Sequence, residues 1–300
     1  MSIKKIFPED SQSVIDVLKN LTESDDDYIF RGHSKTEYEL ESTFKRFLEK
    51  TYQEIMIPSL SDFLDKFEVG MQRIEKMPTD VISELDRLEY ARHYGLPSPC
   101  IDFSYSPYVA IFFALNRLNR SHNDWSDKKD YAVVYALSLR KMASNYAAFL
   151  LENNKDYTTT KKFGDIVNDF RFPYKNHKHL SQLFTTCHPQ DILQFIPAPS
   201  KFNLRMIRQS GCFLYDSLDY MQLGKKNLEE LISEFKELTL YKIYIEKKII
   251  AEELLSQLEL MGVLGMNLMN SPEGVVDDVI NSYYYKSKTF LLRNQIEKNG

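Results

Sequence analysis

Glycine is scarce in this chain, with ten among 300 residues against nineteen tyrosines and nineteen phenylalanines. That balance excludes a low-complexity chain and points to a compact fold filled with aromatic side chains. Cysteine is scarcer still. Cys100, Cys187 and Cys212 stand far apart and form no CxxC, which argues against a disulfide framework and a zinc site and fits a reducing cytoplasm. An excess of positive charge is also missing. The formal net charge is −5 with 27% charged residues, so nothing favours a long nucleic-acid track, although local basic patches remain open. The longest uninterrupted apolar run, Val109 to Leu115, is far too short to cross a bilayer. Met1 to Asp10 includes acids and no apolar signal core. A soluble, unsecreted protein of the cytoplasm with no membrane partner is expected.

What is present reads as intermingled strands and helices. With 43% hydrophobic residues the chain can bury a sizeable core. Asp10-Ser11 caps an amphipathic helix with Val14, Ile15, Leu18 and Leu21 on one face, and Asp25 to Asp27 turn into a strand ending at Arg31. Residues 43–77 read as helices broken at Pro58, and 83–93 as a further helix stopped by Gly95-Leu96-Pro97. Ile101-Asp102-Phe103 reads as a short buried strand, and Pro107 marks a helix start. Strands are expected over 131–139, 191–197, 211–216 and 240–245, and a helix over about 250–261. Residues 140–188 read as polar helices and loops, the best candidate for an insertion, and 286–300 as a charged tail. No repeat and no regular βαβ spacing is visible, so the fold class is α+β in a single domain.

Three stretches carry chemistry. Tyr28-Ile29-Phe30-Arg31-Gly32-His33 puts an arginine at the end of an apolar run. Arg31 is either a structural ion-pair member or a clamp for a carboxylate or phosphate, and Gly32 admits the close approach of a backbone or a ligand. In Glu89 to Leu115, His93 closes a helix, either as a macrodipole partner or projecting into the space behind the turn. Asp102 among apolar neighbours needs a partner if buried, with Arg31 and Arg92 the obvious candidates. Ser104 and Ser106 read as helix caps or as hydroxyls receiving a phosphate or ribose. The third stretch, Arg205 to Leu214, delivers two arginines and Gln209 to a strand start, unless it is an exposed basic turn; Cys212 reads as core. Donors, hydroxyls and one acid without a nucleophile–base pair favour binding or electrostatic catalysis over a hydrolase triad. No HExxH, P-loop or paired carboxylates at metal spacing occur, and His177 with His179 reads as a loop pair rather than a metal site. A nuclease therefore ranks last.

Phe30-Arg31-Gly32, then HYGLPSPCIDFSYSPYVAIFFA, then RMIRQSGCF resemble, in that order, the FRG domain family, named for its Phe-Arg-Gly motif. The resemblance extends over about 26–284. Against the family's QHYGLPTRLLDW pattern the chain has Arg92 for Gln, Pro99 for Arg and Phe103 for Trp, and Ser104 stands for a Thr. The family is widespread in bacteria and phages, and its name fixes no reaction. A more distant similarity is to ADP-ribosyltransferases: the aromatic-Arg-Gly strand, Ser104-Tyr105-Ser106 with Val109-Ala110 and Phe113-Ala114, and Gln209 fall in the same order. It implies a split sheet with surrounding helices and NAD as substrate, with no metal. Arg31, Gly32, Asp102, Ser104, Ser106 and Gln209 would hold the nucleotide, and Arg31, His93, Ser104 and Gln209 would serve catalysis. Glu273, in Pro272-Glu273-Gly274, is the runner-up for the late acid that Gln209 cannot supply, and Asp102 the third candidate. The implied activity is ADP-ribose transfer to a protein or nucleic acid by a toxin or antiviral defence effector. The alternative is a non-enzymatic module sensing a nucleotide, a nucleic-acid end or a phage protein through the same cleft.

Overall fold

A computed structural model describes residues 3–51, 60–74, 84–116, 130–153, 163–171, 195–199, 204–216, 227–234 and 238–282. The strands are β1 (Ile3–Ile6), β2 (Tyr28–His33), β3 (Cys100–Ser104), β4 (Tyr131–Ser138), β5 (Phe195–Pro199), β6 (Gly211–Asp216) and β7 (Leu240–Glu246). They form one sheet in the order β1-β7-β4-β2-β3-β6-β5. Among the described strands only β1 and β7 run parallel, and every other neighbouring pair is antiparallel. Helices surround this mixed sheet, so the class is α+β as expected.

Side chains of β4 alternate between two cores because successive residues of a strand point to opposite faces. Val133, Tyr135 and Leu137 join Ile29, Ile101 and Phe103 in one cluster. Ala132, Val134 and Ala136 join Phe30, Ile243 and Ile245 in the other. The second face is covered by α1 (Ser11–Thr22) and by the helices Pro107–Leu115 and Lys247–Leu260, which supply Val14, Leu18, Ala110, Phe112 and Leu254. Asp10 caps α1 by accepting a hydrogen bond from the Ser13 amide at 2.7 Å. A third, smaller cluster packs Leu60, Leu64, Leu88 and Ala91 of the helices Leu60–Met71 and Glu84–His93 against Cys100 and Phe213.

Two expectations change. The helix Leu139–Asn153, at the start of the expected insertion, is part of the first core, with Met142, Ala143, Tyr146 and Ala147 fully buried. The basic segment before β6 is a five-residue helix, Leu204–Arg208, rather than a plain turn. The expected tail at 286–300 lies outside the described residues.

The feature that positions the site is a parting of the sheet. Strand β2 registers with β4 through six residue pairs, from Tyr28↔Ser138 to His33↔Val133. With β3 it registers through Phe30↔Ser104 alone, while β3 is paired along its whole length with β6. Beyond Phe30 the halves of the sheet diverge, and the helix Pro107–Leu115 fills one side of the parting. That helix is apolar on nearly every face, as a helix enclosed by sheet and neighbouring helices must be. Its N-terminus is set by Ser106, which caps the Val109 amide, and by Pro107 in the first turn. It lies so close to β2 that a Cβ on Gly32 would stand 1.9 Å from the Ala110 carbonyl oxygen and 2.6 Å from the Ala114 nitrogen.

Gly95 offers the contrast: its φ of 90° demands glycine, yet nothing lies within 4 Å of an added Cβ. Gly32→Ala therefore collides with helix backbone and should cost ~3 kcal/mol or more, whereas Gly95→Ala should cost only ~1–2 kcal/mol of backbone strain. Urea unfolding of both variants checks the order, and equal losses would contradict it.

Candidate functional site

The parting opens a cleft of about 780 Å³. Across it the Arg31 guanidinium takes the place of a missing ladder bond, Nη1 donating to the Asp102 carbonyl oxygen at 2.6 Å, while Nε donates along its own strand to His33 Nε2 at 2.8 Å. Because Nε2 accepts, the His33 proton sits on Nδ1 and is donated to the Tyr38 carbonyl oxygen, 3.2 Å away. His33 is 7% exposed. Burial first, then the charge of Arg31 and of the more remote Arg46 and Lys242, push its pKa down to about 3, against the opposing Tyr38 hydrogen bond. Burial also works against the charge on Arg31, while the Asp102 carboxylate supports it.

Asp102 finds both partners that the sequence offers. Arg92 Nη2 donates to its Oδ2, and Arg31 takes its main-chain oxygen. Arg92 is fixed in turn, donating from Nη1 to the Cys100 carbonyl oxygen at 2.8 Å and lying 5.3 Å from the Phe213 ring centroid. Asp102 Oδ1 is buried and has no hydrogen-bond partner among the described residues.

The hydroxyls hold structure. Ser104 Oγ donates to the Gln209 carbonyl oxygen at 2.6 Å and accepts from the Ser106 amide at 2.9 Å. Ser210 adopts a left-handed φ of 46°, and its carbonyl oxygen accepts from the Tyr105 amide at 2.8 Å. These bonds clip the turn before β6 onto the end of β3. Gln209, itself buried, donates from Nε2 to the Leu268 carbonyl oxygen at 3.1 Å. That bond ties in a last wall, made by the helix Gly265–Met269 and the helical stretch 272–282. Glu273 stands exposed on this wall, and its carboxyl is held below the usual range by a hydrogen bond from Ser271, with a smaller contribution from Arg205.

Of the sequence-derived candidates, Arg31, Gly32, His93, Asp102, Ser104, Gln209 and Glu273 line this one cleft. Ser106 does not; its side chain caps the neighbouring helix. Gly32 admits the close approach of helix backbone on its Cβ side. His93 is exposed, its ring edge-on to Tyr94 with centroids 5.3 Å apart. His33, Tyr38, Arg92 and Arg205 also line the cleft. For His33 the signal was available, since residues two apart on a strand share a face.

The described residues contain no group of three or more His, Cys, Asp or Glu able to hold a metal ion. Nor do they contain a helix long and apolar enough to cross a membrane. Burial pushes the Cys100 thiol up to about 12 and raises Cys212 as well, so neither is a ready thiolate. Cys187, His177 and His179 lie outside the described residues.

Residues 26–123 match the family model of the FRG domain. The matched segment thus holds Arg31, His33, Arg92, Asp102 and Ser104, while Arg205, Gln209 and Glu273 reach the same cleft from beyond it. No match is found among curated proteins or among solved structures.

The neutral His33 carries a pH dependence. A folded pKa below the ordinary ~6.5 means that the unfolded chain binds the extra proton. The stability His33 contributes is therefore complete above pH ~6.5 and falls by up to about 1.4 kcal/mol per unit as pH drops toward 3. His33→Gln should flatten this part of the acid limb between pH 6.5 and 4 in denaturation series; an unchanged limb would contradict the assignment.

Proposed function

We propose that the cleft binds NAD or a related nucleotide and that the protein transfers ADP-ribose to a macromolecular target, a protein or a nucleic acid. The observation that carries this reading is the gathering of Arg31, Asp102, Ser104, Gln209 and Glu273 around one cleft at the parting of a sheet. Its volume of about 780 Å³ suits a small-molecule ligand. Arg31 Nη2 makes no bond to the protein among the described residues, so it is the charged donor left for a phosphate or ribose oxygen.

In the transfer a nucleophile of the target attacks C1′ of the nicotinamide ribose. The bond from C1′ to the ring nitrogen breaks, nicotinamide leaves with the electron pair, and the target gives up its proton. The positive charge developing on the ribose calls for a nearby anion. Of the two carboxylates that line the cleft among the described residues, Asp102 has one oxygen bonded to Arg92 and the other buried, and we assign the exposed Glu273 as the acid. Gln209 contributes a neutral amide. In this reading the protein is a toxin or antiviral defence effector of the cytoplasm, which its resemblance to FRG domain proteins supports.

The alternative, a non-enzymatic sensing module, draws on the bond that ties the Gln209 amide to Leu268 and on the full exposure of Glu273, where solvent weakens any charge it offers. Labelled NAD with cell extract, together with calorimetry, decides between them. Wild type should label a target or release nicotinamide, Glu273→Gln should slow turnover ~10²-fold at unchanged affinity, and Arg31→Ala should weaken binding. Tight binding without turnover selects the sensor, and no binding of any nucleotide removes both readings.

A further inference from the structure

We infer that His33 is a positioning residue for Arg31: its imidazole fixes the guanidinium across the parted strands, leaves Nη2 as the donor for an anionic ligand, and ties the cleft lip at Tyr38 to that guanidinium. The ligand part of this inference rests on the nucleotide reading above; the positioning itself does not.

Arg31 stands just past the single pair that joins β2 to β3, so no strand ladder orients it on that side. Its two fixed bonds go to the Asp102 carbonyl and to His33 Nε2. The imidazole is constrained on its other edge. Nδ1 bonds the Tyr38 carbonyl, which also accepts from the Tyr135 hydroxyl at 3.4 Å. The ring packs edge-on against Tyr135 and Tyr38, with centroids 5.1 Å and 6.1 Å apart. The charged groups acting on it are cations from three elements: Arg31 on its own strand, Arg46 from the helix Thr43–Thr51 and Lys242 from β7. All three favour the neutral ring, the only form with a lone pair to offer Arg31.

A histidine that merely filled space would tolerate any side chain of similar volume. The positioning role requires an acceptor toward Arg31 and a donor toward Tyr38, which glutamine supplies and leucine does not.

The test uses the full chain labelled with ¹⁵N, as wild type, His33→Gln and His33→Leu. Without nucleotide, the His33 ring should show the Nδ1-protonated tautomer unchanged from pH 8 to pH 5. Arg31 Nε–H should exchange slowly in wild type and His33→Gln, and at least ~10-fold faster in His33→Leu. With NAD as the probe, His33→Gln should bind within about threefold of wild type and His33→Leu about tenfold more weakly. An Nε2-protonated tautomer overturns the inference, as does equal Arg31 exchange in all three proteins, or a glutamine variant that behaves like leucine. Should His33→Leu fail to fold, the tautomer and the wild-type and glutamine exchange rates still decide. If these hold while NAD does not bind, the nucleotide reading fails and the positioning stands. If NAD binds while they fail, the reverse holds.

Discussion

A guanidinium bridging two strands that have ceased to pair is the interaction on which the cleft depends. Main-chain groups freed at a parted sheet edge need partners or water, and Arg31 supplies one such partner by donating to the Asp102 carbonyl oxygen while its Nε is held by the His33 imidazole. Its charge is held in a largely buried position, which is tolerable because the surroundings accept hydrogen bonds from it and the Asp102 carboxylate lies close enough to act on it. The neighbouring bonds follow from that requirement. His33 must be neutral to accept, Asp102 must be matched by a second arginine, and the helix Pro107–Leu115 must seat on Gly32, where no side chain blocks it.

Around this bridge the polar groups engage one another with little slack. Ser104 spends its donor on the turn that carries Gln209 and an acceptor site on the Ser106 amide, and Gln209 spends its amide on Leu268. Such satisfied bonds give a rigid cleft wall rather than a set of freely disposable reactive groups. Among the described residues, Arg31 Nη2, the buried Asp102 Oδ1 and the exposed carboxylate of Glu273 retain capacity.

Much of this was legible in the chain. The apolar runs of β4 and of the helix after Pro107 announce buried elements through composition alone, and Asp102 in an apolar strand demands the arginine partners it has. What stayed hidden depends on distant segments. The four-residue β1 has no marked alternation and exists because it pairs with β7, more than two hundred residues later. The close approach at Gly32 is set by where a helix lands, and two readings of one glycine, a seat for backbone or for ligand, look identical in sequence. The serines show the same ambiguity: a hydroxyl at a strand-to-helix junction serves a cap or a ligand equally well until its partners are known.

The cleft has walls from two stretches of chain, 26–123 and the segment from Arg205 to Glu273. Any molecule lodged between them would act as a thermodynamic clasp, adding its binding free energy to the contact that joins the stretches. At a hundredfold excess over its dissociation constant that amounts to about 2.7 kcal/mol. Occupancy would therefore be felt far from the cleft, in how firmly the later part of the chain is held onto the earlier one.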